Sequence, residues 1–458
     1  MSKKRKVILI KFLRNYADDE AGLLTSESRE EDINDDKSPF VDPSEGRKKM
    51  QIVILDKHPI NDGRIERHIK YFYSHNYKVF RIHFNRSNIS LAPGNFSQFG
   101  EGSYRINVTK GYECIKNNSI YFNLFCLTPL ILRSAKRVIK SLEIDTSLPT
   151  IIHIHDPALL NLAVKLKKSF FANAKIVYDR HEVFESKISF NMIKIPKIAR
   201  VYETATRNHI DGVISISEEY NKSIHRLFPK AITATVPNFP STNEYHHEEV
   251  IKKLKNFKNG ENLNLIYVGS LANNNDRDID LLLDIATEIL HNYPNTRYYI
   301  GGQCNDQILC NRLDKLQSEF VDRFTYTGEI SRERTVLLTE RSHVGFFMIR
   351  PETDYWVPCS PNKVFEYLIC GTIPVIRADV NYAQDFSKCS LIFKRDDSEG
   401  DVITAILELL RDPIRIKKMM EDAVAISEKF KFDSVVNNYI NMYNCLLGLQ
   451  NQGFCNVS

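Results

Sequence analysis

The run Cys359-Ser360-Pro361-Asn362-Lys363-Val364-Phe365-Glu366-Tyr367-Leu368-Ile369-Cys370-Gly371 holds the densest chemistry in the 458-residue sequence. Ser360 suits a helix N-cap, Pro361 the first helical position and Gly371 the stop. A helix start gathers free backbone N–H groups and the positive end of the dipole, so it can hold phosphate, and Lys363 adds a point charge there. Asn362 and Lys363 stand four and three residues before Glu366, on one helical face. A carboxylate one turn beyond a phosphate site can accept hydrogen bonds from two ribose hydroxyls. Spacing alone equally allows a surface Lys–Glu pair on a well-capped helix.

Three further groups lie at expected strand ends or helix starts. His181 has Asp179 and Glu182 as neighbours able to orient it. The pair His155-Asp156 suits either a cap for the next helix or a ligand contact, and capping is the favoured role. In Asp62-Gly63-Arg64, Asp62 can cap a helix, Gly63 permits close backbone approach to a ligand and Arg64 could reach a phosphate; a plain capped helix explains the same residues.

The elements that must position these groups alternate. Short apolar runs at Gln51–Leu55, Lys78–Phe84, Pro149–Ile154, Ala174–Asp179, Gly212–Ile216 and Ile232–Val236 read as strands, with helices at Gly63–His75, Ala158–Phe170 and Ile195–His209 between them. Pro237-Asn238-Phe239-Pro240-Ser241 is turn chemistry and His246–Gly260 is polar, which predicts a hinge over 237–260. A second series follows: strands at Leu263–Gly269, Arg297–Ile300, Arg323–Thr327, Val344–Met348, Ile373–Ile376 and Leu391–Phe393, and helices near Asp278–His291, Val402–Leu410, Ile414–Phe430 and Ser434–Leu447. The expected fold is α/β, with two Rossmann-like parallel-sheet domains facing a central cleft. Ligands in such sheets sit beyond the carboxyl ends of the strands. The expected division is a disordered leader over 1–49, an N-terminal Rossmann-like domain over 50–240, a C-terminal Rossmann-like domain over 241–430, and a C-terminal helix and tail over 431–458.

The run Ser360-Pro361-Asn362-Lys363 through Pro374-Val375-Ile376 resembles the donor-nucleotide motif of family-4 glycosyltransferases, which have the GT-B fold. Leu265-Ile266-Tyr267-Val268-Gly269-Ser270-Leu271 resembles that family's strand opening the second domain, and Thr325-Tyr326-Thr327-Gly328 its base-pocket loop. His153-Ile154-His155-Asp156-Pro157 and Val177 through Phe184 resemble its paired strand-end motifs. The resemblance implies a retaining glycosyltransferase, with Glu366 on the ribose and His181 near the donor sugar as the catalytic pair. It implies donor contacts from Gly269, Ser270, Arg277, Gly328, Ser360, Asn362 and Lys363. Pro358 replaces a second Glu that many members carry, with Glu352 or Asp354 nearby, and Ser270 replaces an Arg. Asp62, Gly63, Arg64, His155 and Asp156 are the acceptor or phosphate-side candidates. The resemblance implies phosphate neutralised by basic groups and helix dipoles, so no metal and no cofactor is expected beyond the nucleotide-diphosphate sugar as co-substrate.

Composition sets outer limits. Hydrophobic residues are 43% and charged ones 26%, which excludes collagen-like and fully disordered classes. The formal charge of +5 conceals a net +12 over residues 51–240 and −7 over 241–458. A basic half suits a phosphate-bearing acceptor, an anionic glycan or an inner membrane surface, and serves solubility alone equally well. The apolar segment 120–132, followed by Arg133, Lys136, Arg137 and Lys140, suits an interfacial anchor or a buried helix with a basic outer face, and burial is favoured. Nine cysteines without a Cys-x-x-Cys pair point to a reducing cytoplasm. The expected partners are a nucleotide sugar and a glycan or lipid-linked acceptor in surface polysaccharide synthesis, with peripheral contact at the inner membrane face and no nucleic acid. The alternatives are a non-hydrolysing sugar-nucleotide epimerase and a non-catalytic nucleotide-sugar-binding protein.

Overall fold

The computed structural model describes residues 50–58, 62–85, 96–100, 102–107, 128–181, 194–258, 260, 262–271, 276–351 and 360–449. The expected leader, residues 120–127, Glu182, Glu352, Asp354 and Pro358 lie outside them. The described strands are β1 Gln51–Asp56, β2 Lys78–Asn85, β3 Phe96–Gly100, β4 Ser103–Asn107, β5 Thr150–Ile154, β6 Lys175–Asp179, β7 Gly212–Ser215, β8 Ile232–Thr235, β9 Leu263–Val268, β10 Thr296–Gly301, β11 Phe324–Tyr326, β12 Val344–Met348, β13 Ile373–Arg377 and β14 Leu391–Phe393. They form an eight-stranded sheet, β3-β4-β2-β1-β5-β6-β7-β8, and a six-stranded sheet, β11-β10-β9-β12-β13-β14. Apart from the antiparallel β3–β4 pair, the recorded ladders are parallel. Strands such as β1, β5, β7 and β12 are buried along their whole length, as parallel strands covered on both faces must be.

Two compact units divide the chain. One comprises residues 1–57, 72–176 and 197–210; the other comprises 58–71, 177–196 and 211–458. In the first, the helix Thr128–Ser141 buries Ile131, Ala135, Val138 and Ile139, while Arg133, Lys136, Arg137 and Lys140 point outward. This part of the apolar segment is therefore a buried helix with a basic outer face. In the second unit, the six-stranded sheet carries a large apolar core built on Leu265, Tyr267, Tyr298, Ile300, Phe346 and Val375. The C-terminal helix Phe432–Leu446 closes that unit over long sequence distances. Asn438 Nδ2 donates to Thr235 O (2.8 Å), Tyr439 Oη donates to Asp179 Oδ2 (3.0 Å), and Tyr443 Oη lies 3.1 Å from His68 Nε2.

Several local expectations change. The polar stretch inside 237–260 contains the helix His247–Asn256, because Val250 and Leu254, four apart, bury on one face. Strands β3 and β4 and the helices Asn221–Leu227, Gln307–Glu319 and Arg332–Glu340 were not expected. Cys304, Cys310, Cys370 and Cys389 are free thiols. No helix among the described residues is long and apolar enough to cross a membrane.

Candidate active site

Three glycine-bearing loops interlock at the carboxyl edge of the six-stranded sheet. Gly269 follows β9, and a Cβ there would meet Lys363 Cε and Nζ at 2.9 Å. Gly302 follows β10 with φ +141°, and a Cβ there would fall 1.8 Å from Gly269 O. Its amide donates to Gly328 O at 2.8 Å, and Gly328 itself has φ +64°. Glycine is thus required at 302, where a Cβ would strike the Gly269 backbone, whereas at 269 it makes room for the tip of Lys363; the two loops are held against each other.

The helix Asn362–Ile369 brings Lys363 and Glu366 to that edge. Its start differs from the expected cap. Pro361, extended at φ −79° and ψ 126°, is the cap residue, and no side chain closes the first turn. Ser360 is a correction: it is buried, and its Oγ has no hydrogen-bond partner. The first amides of the helix therefore lack a side-chain acceptor. Gly371 ends the helix at φ +59°, as its position suggested.

Lys363 is half-buried, and its Nζ lies 5.8 Å from the Tyr267 ring centre. Burial, and then the nearby Arg277 guanidinium, push its pKa down to about 8. Glu366 has 15% side-chain exposure, and Arg332 Nη1 reaches its Oε1 at 2.8 Å. Arg332 also donates to Glu244 Oε2 (2.9 Å) and to Tyr245 Oη (2.8 Å). Burial opposes the Arg332 charge, but Glu366, Tyr245 and Glu244 outweigh it and hold the guanidinium protonated. Arg277 is paired with Asp276 at 3.0 Å and lies 4.7 Å over the Phe347 ring. Ser270 contributes its carbonyl, which accepts from Tyr267 Oη at 3.2 Å.

A second group surrounds Asp179 at the end of β6. Arg64 Nε and Nη2 donate to its two oxygens at 2.9 Å each, and Arg64 Nη1 donates to Val236 O (3.0 Å) and Asn238 Oδ1 (2.7 Å). Arg64 is therefore a buried pin, and the expected reach to a phosphate is corrected. Asp62 caps the helix Gly63–Ser74 by accepting from the amides of Arg64 (3.1 Å) and Ile65 (3.2 Å). His181 is oriented by Asp179, with Nδ1 3.2 Å from the Asp179 carbonyl and 3.6 Å from its carboxylate, and its ring faces His58 at 5.0 Å. In the other unit, Asp156 accepts from Ala158 N at 2.8 Å, capping the short helix Pro157–Leu159, and pairs with Lys57 at 2.7 Å. His155 is buried with its ring 4.5 Å from that of His153.

The structure thus gathers Gly269, Ser270, Arg277, Gly328, Ser360, Lys363 and Glu366 on the six-stranded sheet and its helix, and Asp62, Arg64 and His181 around Asp179. Arg67 faces both groups, since its charge is felt with Glu244, Glu366 and Tyr245 and with Arg64. Sequence reasoning missed Arg67, Arg332, Glu244 and Tyr245. The only local signal at Arg332 was Ser331, whose hydroxyl caps the helix Arg332–Glu340.

Among solved structures, sucrose-phosphate synthase from Thermosynechococcus elongatus superposes with a TM-score of 0.64 at 16% identity, covering 87% of this chain and 100% of the other. A UDP-forming α,α-trehalose-phosphate synthase from Burkholderia xenovorans gives 0.61 at 10% identity over 87% and 99%. An E. coli structure described as trehalose-6-phosphate bound with UDP-2-fluoro glucose gives 0.55 at 14% over 86% and 98%. The fold is GT-B. No protein-family model and no curated protein sequence matches the chain. At these identities the likeness bears on the GT-B fold and singles out no sequence family within it.

Proposed function

We propose that the chain is a retaining glycosyltransferase resembling family 4, which moves a sugar from a nucleotide-diphosphate sugar to an acceptor hydroxyl. One observation carries the reading: Lys363 is pressed against side-chain-free Gly269, beside a helix start without a side-chain cap and one turn from Glu366. A diphosphate fits the cation and the open amides, and ribose hydroxyls fit the carboxylate. In the reaction, the acceptor oxygen bonds to the anomeric carbon while the bond from that carbon to the diphosphate oxygen breaks. The hydroxyl proton leaves with the departing diphosphate. Lys363 and the helix amides stabilise the charge that develops on that leaving group, which is electrostatic catalysis. Arg332 fixes the Glu366 carboxylate before substrate arrives, and His181 stands near the sugar in this reading.

The solved structures named above include sugar-phosphate-forming synthases, so a sugar phosphate joins the glycan and lipid-linked acceptors as an acceptor class to try. Peripheral membrane contact belongs to the same proposal. Its support is the outward basic row on Thr128–Ser141, and salt-sensitive binding to anionic over neutral vesicles checks it. The decisive assay follows nucleoside diphosphate release from UDP-sugars with hexose, hexose phosphate and glycan acceptors. Acceptor-dependent release supports transfer. Donor epimerisation without acceptor would replace it with the epimerase reading, and tight binding without turnover would replace it with a binding protein.

A further inference from the structure

Arg67 lies one turn into the helix Gly63–Ser74 and is 4% exposed. Among the described residues, no hydrogen bond or ion pair engages its guanidinium, and its Nε is fully enclosed without a partner. The carboxylates whose charges reach it are spent elsewhere. Glu244 and Glu366 are bonded to Arg332 at 2.9 and 2.8 Å. Burial pushes the Arg67 pKa down, and the charges of Glu244 and Glu366 offset this only in part. The side chain leans back along its helix, as helical side chains do, until Nη1 lies 3.2 Å from where a Gly63 Cβ would stand. Gly63 thus makes room for a cation that serves no contact in the fold. A buried unpaired charge costs stability, and a protein that retains one has a use for a counter-charge brought from outside.

We propose that Arg67 is the anchor of an anion site that takes a phosphate group, through the two-pronged geometry that guanidinium offers phosphate oxygens. The choice of phosphate rests on the glycosyltransferase reading, because Arg67 and Lys363 share Glu366 as a charged neighbour. The phosphate could belong to the donor's diphosphate or to a phosphorylated acceptor.

The test titrates the full chain with inorganic phosphate, UDP, a hexose 6-phosphate and the uncharged hexose, by calorimetry and thermal shift. Arg67→Met should bind inorganic phosphate at least tenfold more weakly and, with the unpaired charge gone, should melt at or above the wild-type temperature. Arg67→Lys should fall between, since it keeps the charge but loses the fork. With inorganic phosphate binding weakened, a parallel loss for hexose 6-phosphate but not UDP assigns the site to the acceptor, and a parallel loss for UDP but not hexose 6-phosphate assigns it to the donor. Phosphate affinity within twofold of wild type in both variants overturns the inference. So does a clearly lower melting temperature or failed folding of Arg67→Met, which would show that Arg67 serves the fold. UDP binding to the wild type judges the donor site separately: its absence fails that reading, while the inorganic phosphate arm still decides Arg67.

Discussion

Replacing Glu366 by Gln tests the donor site most directly, because it keeps the shape and removes only the charge. Glu366 is 15% exposed in its side chain and is tied to Arg332 at 2.8 Å, so it is partly desolvated and already oriented. A hydrogen bond to such a charged group contributes about 1.5–3 kcal/mol, against about 0.5–1.5 kcal/mol for a neutral one. In the wild type, a 2′-deoxy nucleoside diphosphate should therefore bind roughly 10- to 100-fold more weakly than the ribo form. In the Glu366→Gln variant only a neutral acceptor remains, and the same comparison should shrink to about 2- to 10-fold. The coupling between protein and ligand changes is then about tenfold, or ~1.4 kcal/mol. Arg332 keeps Glu244 and Tyr245 in the variant, so its position is retained and the fold loses little. Calorimetry with UDP and 2′-deoxy-UDP on both proteins measures the cycle. An identical deoxy penalty in wild type and variant, with both binding, would refute the ribose role of Glu366.

Gly269→Ala should force the tip of Lys363 aside, since the new methyl would stand 2.9 Å from Cε and Nζ; UDP affinity should fall about tenfold with only a small loss of melting temperature, both read by thermal shift titration. Lys363, with its folded pKa depressed to about 8 from 10.5, holds fewer protons when folded than unfolded between those values. Its contribution to stability therefore rises as pH climbs through that window, while diphosphate affinity falls as the ammonium is lost; a UDP affinity flat from about pH 7 to 9.5 would count against Lys363 as a phosphate ligand. Arg64→Met leaves the fully buried Asp179 carboxylate without its cation and should cost about 3–5 kcal/mol in urea unfolding, with Asp179→Asn in the same background restoring part of the loss.

Sequence patterns carried the sheets well because buried parallel strands are continuous apolar runs, as in Gln51–Asp56 and Val344–Met348. They missed β3 and β4, whose residues Phe96–Gly100 are mostly half-exposed and whose polar content looks like loop. The helix Arg332–Glu340 was hidden for a related reason: only Val336, Thr339 and Glu340 are buried, so no apolar stripe marks it. At the site, Lys363, Glu366 and Gly269 were legible because each follows a strand or opens a helix with its own local punctuation. Arg332 and Glu244 were not, because their meeting depends on a contact across 88 residues that no local spacing encodes. Arg64 shows the opposite failure. Its place at a helix start suggested ligand binding, yet its partner Asp179 lies 115 residues away and saturates it.

The C-terminal helix has a consequence for the order in which the protein can be made. Tyr439 meets Asp179 across 260 residues, and Tyr443 meets His68 across 375. At about 5–20 residues per second on the ribosome, Asp179 emerges roughly 13–50 s before its tyrosine exists. The segments 58–71 and 177–196 are thus synthesised early but belong to a unit that only the last-made helix completes. Vectorial folding from the N-terminus can finish the first unit and must leave these two segments waiting. A chain that terminates before residue 432 carries every described strand and the Arg64–Asp179 pair but lacks the tyrosines that reach Asp179 and His68.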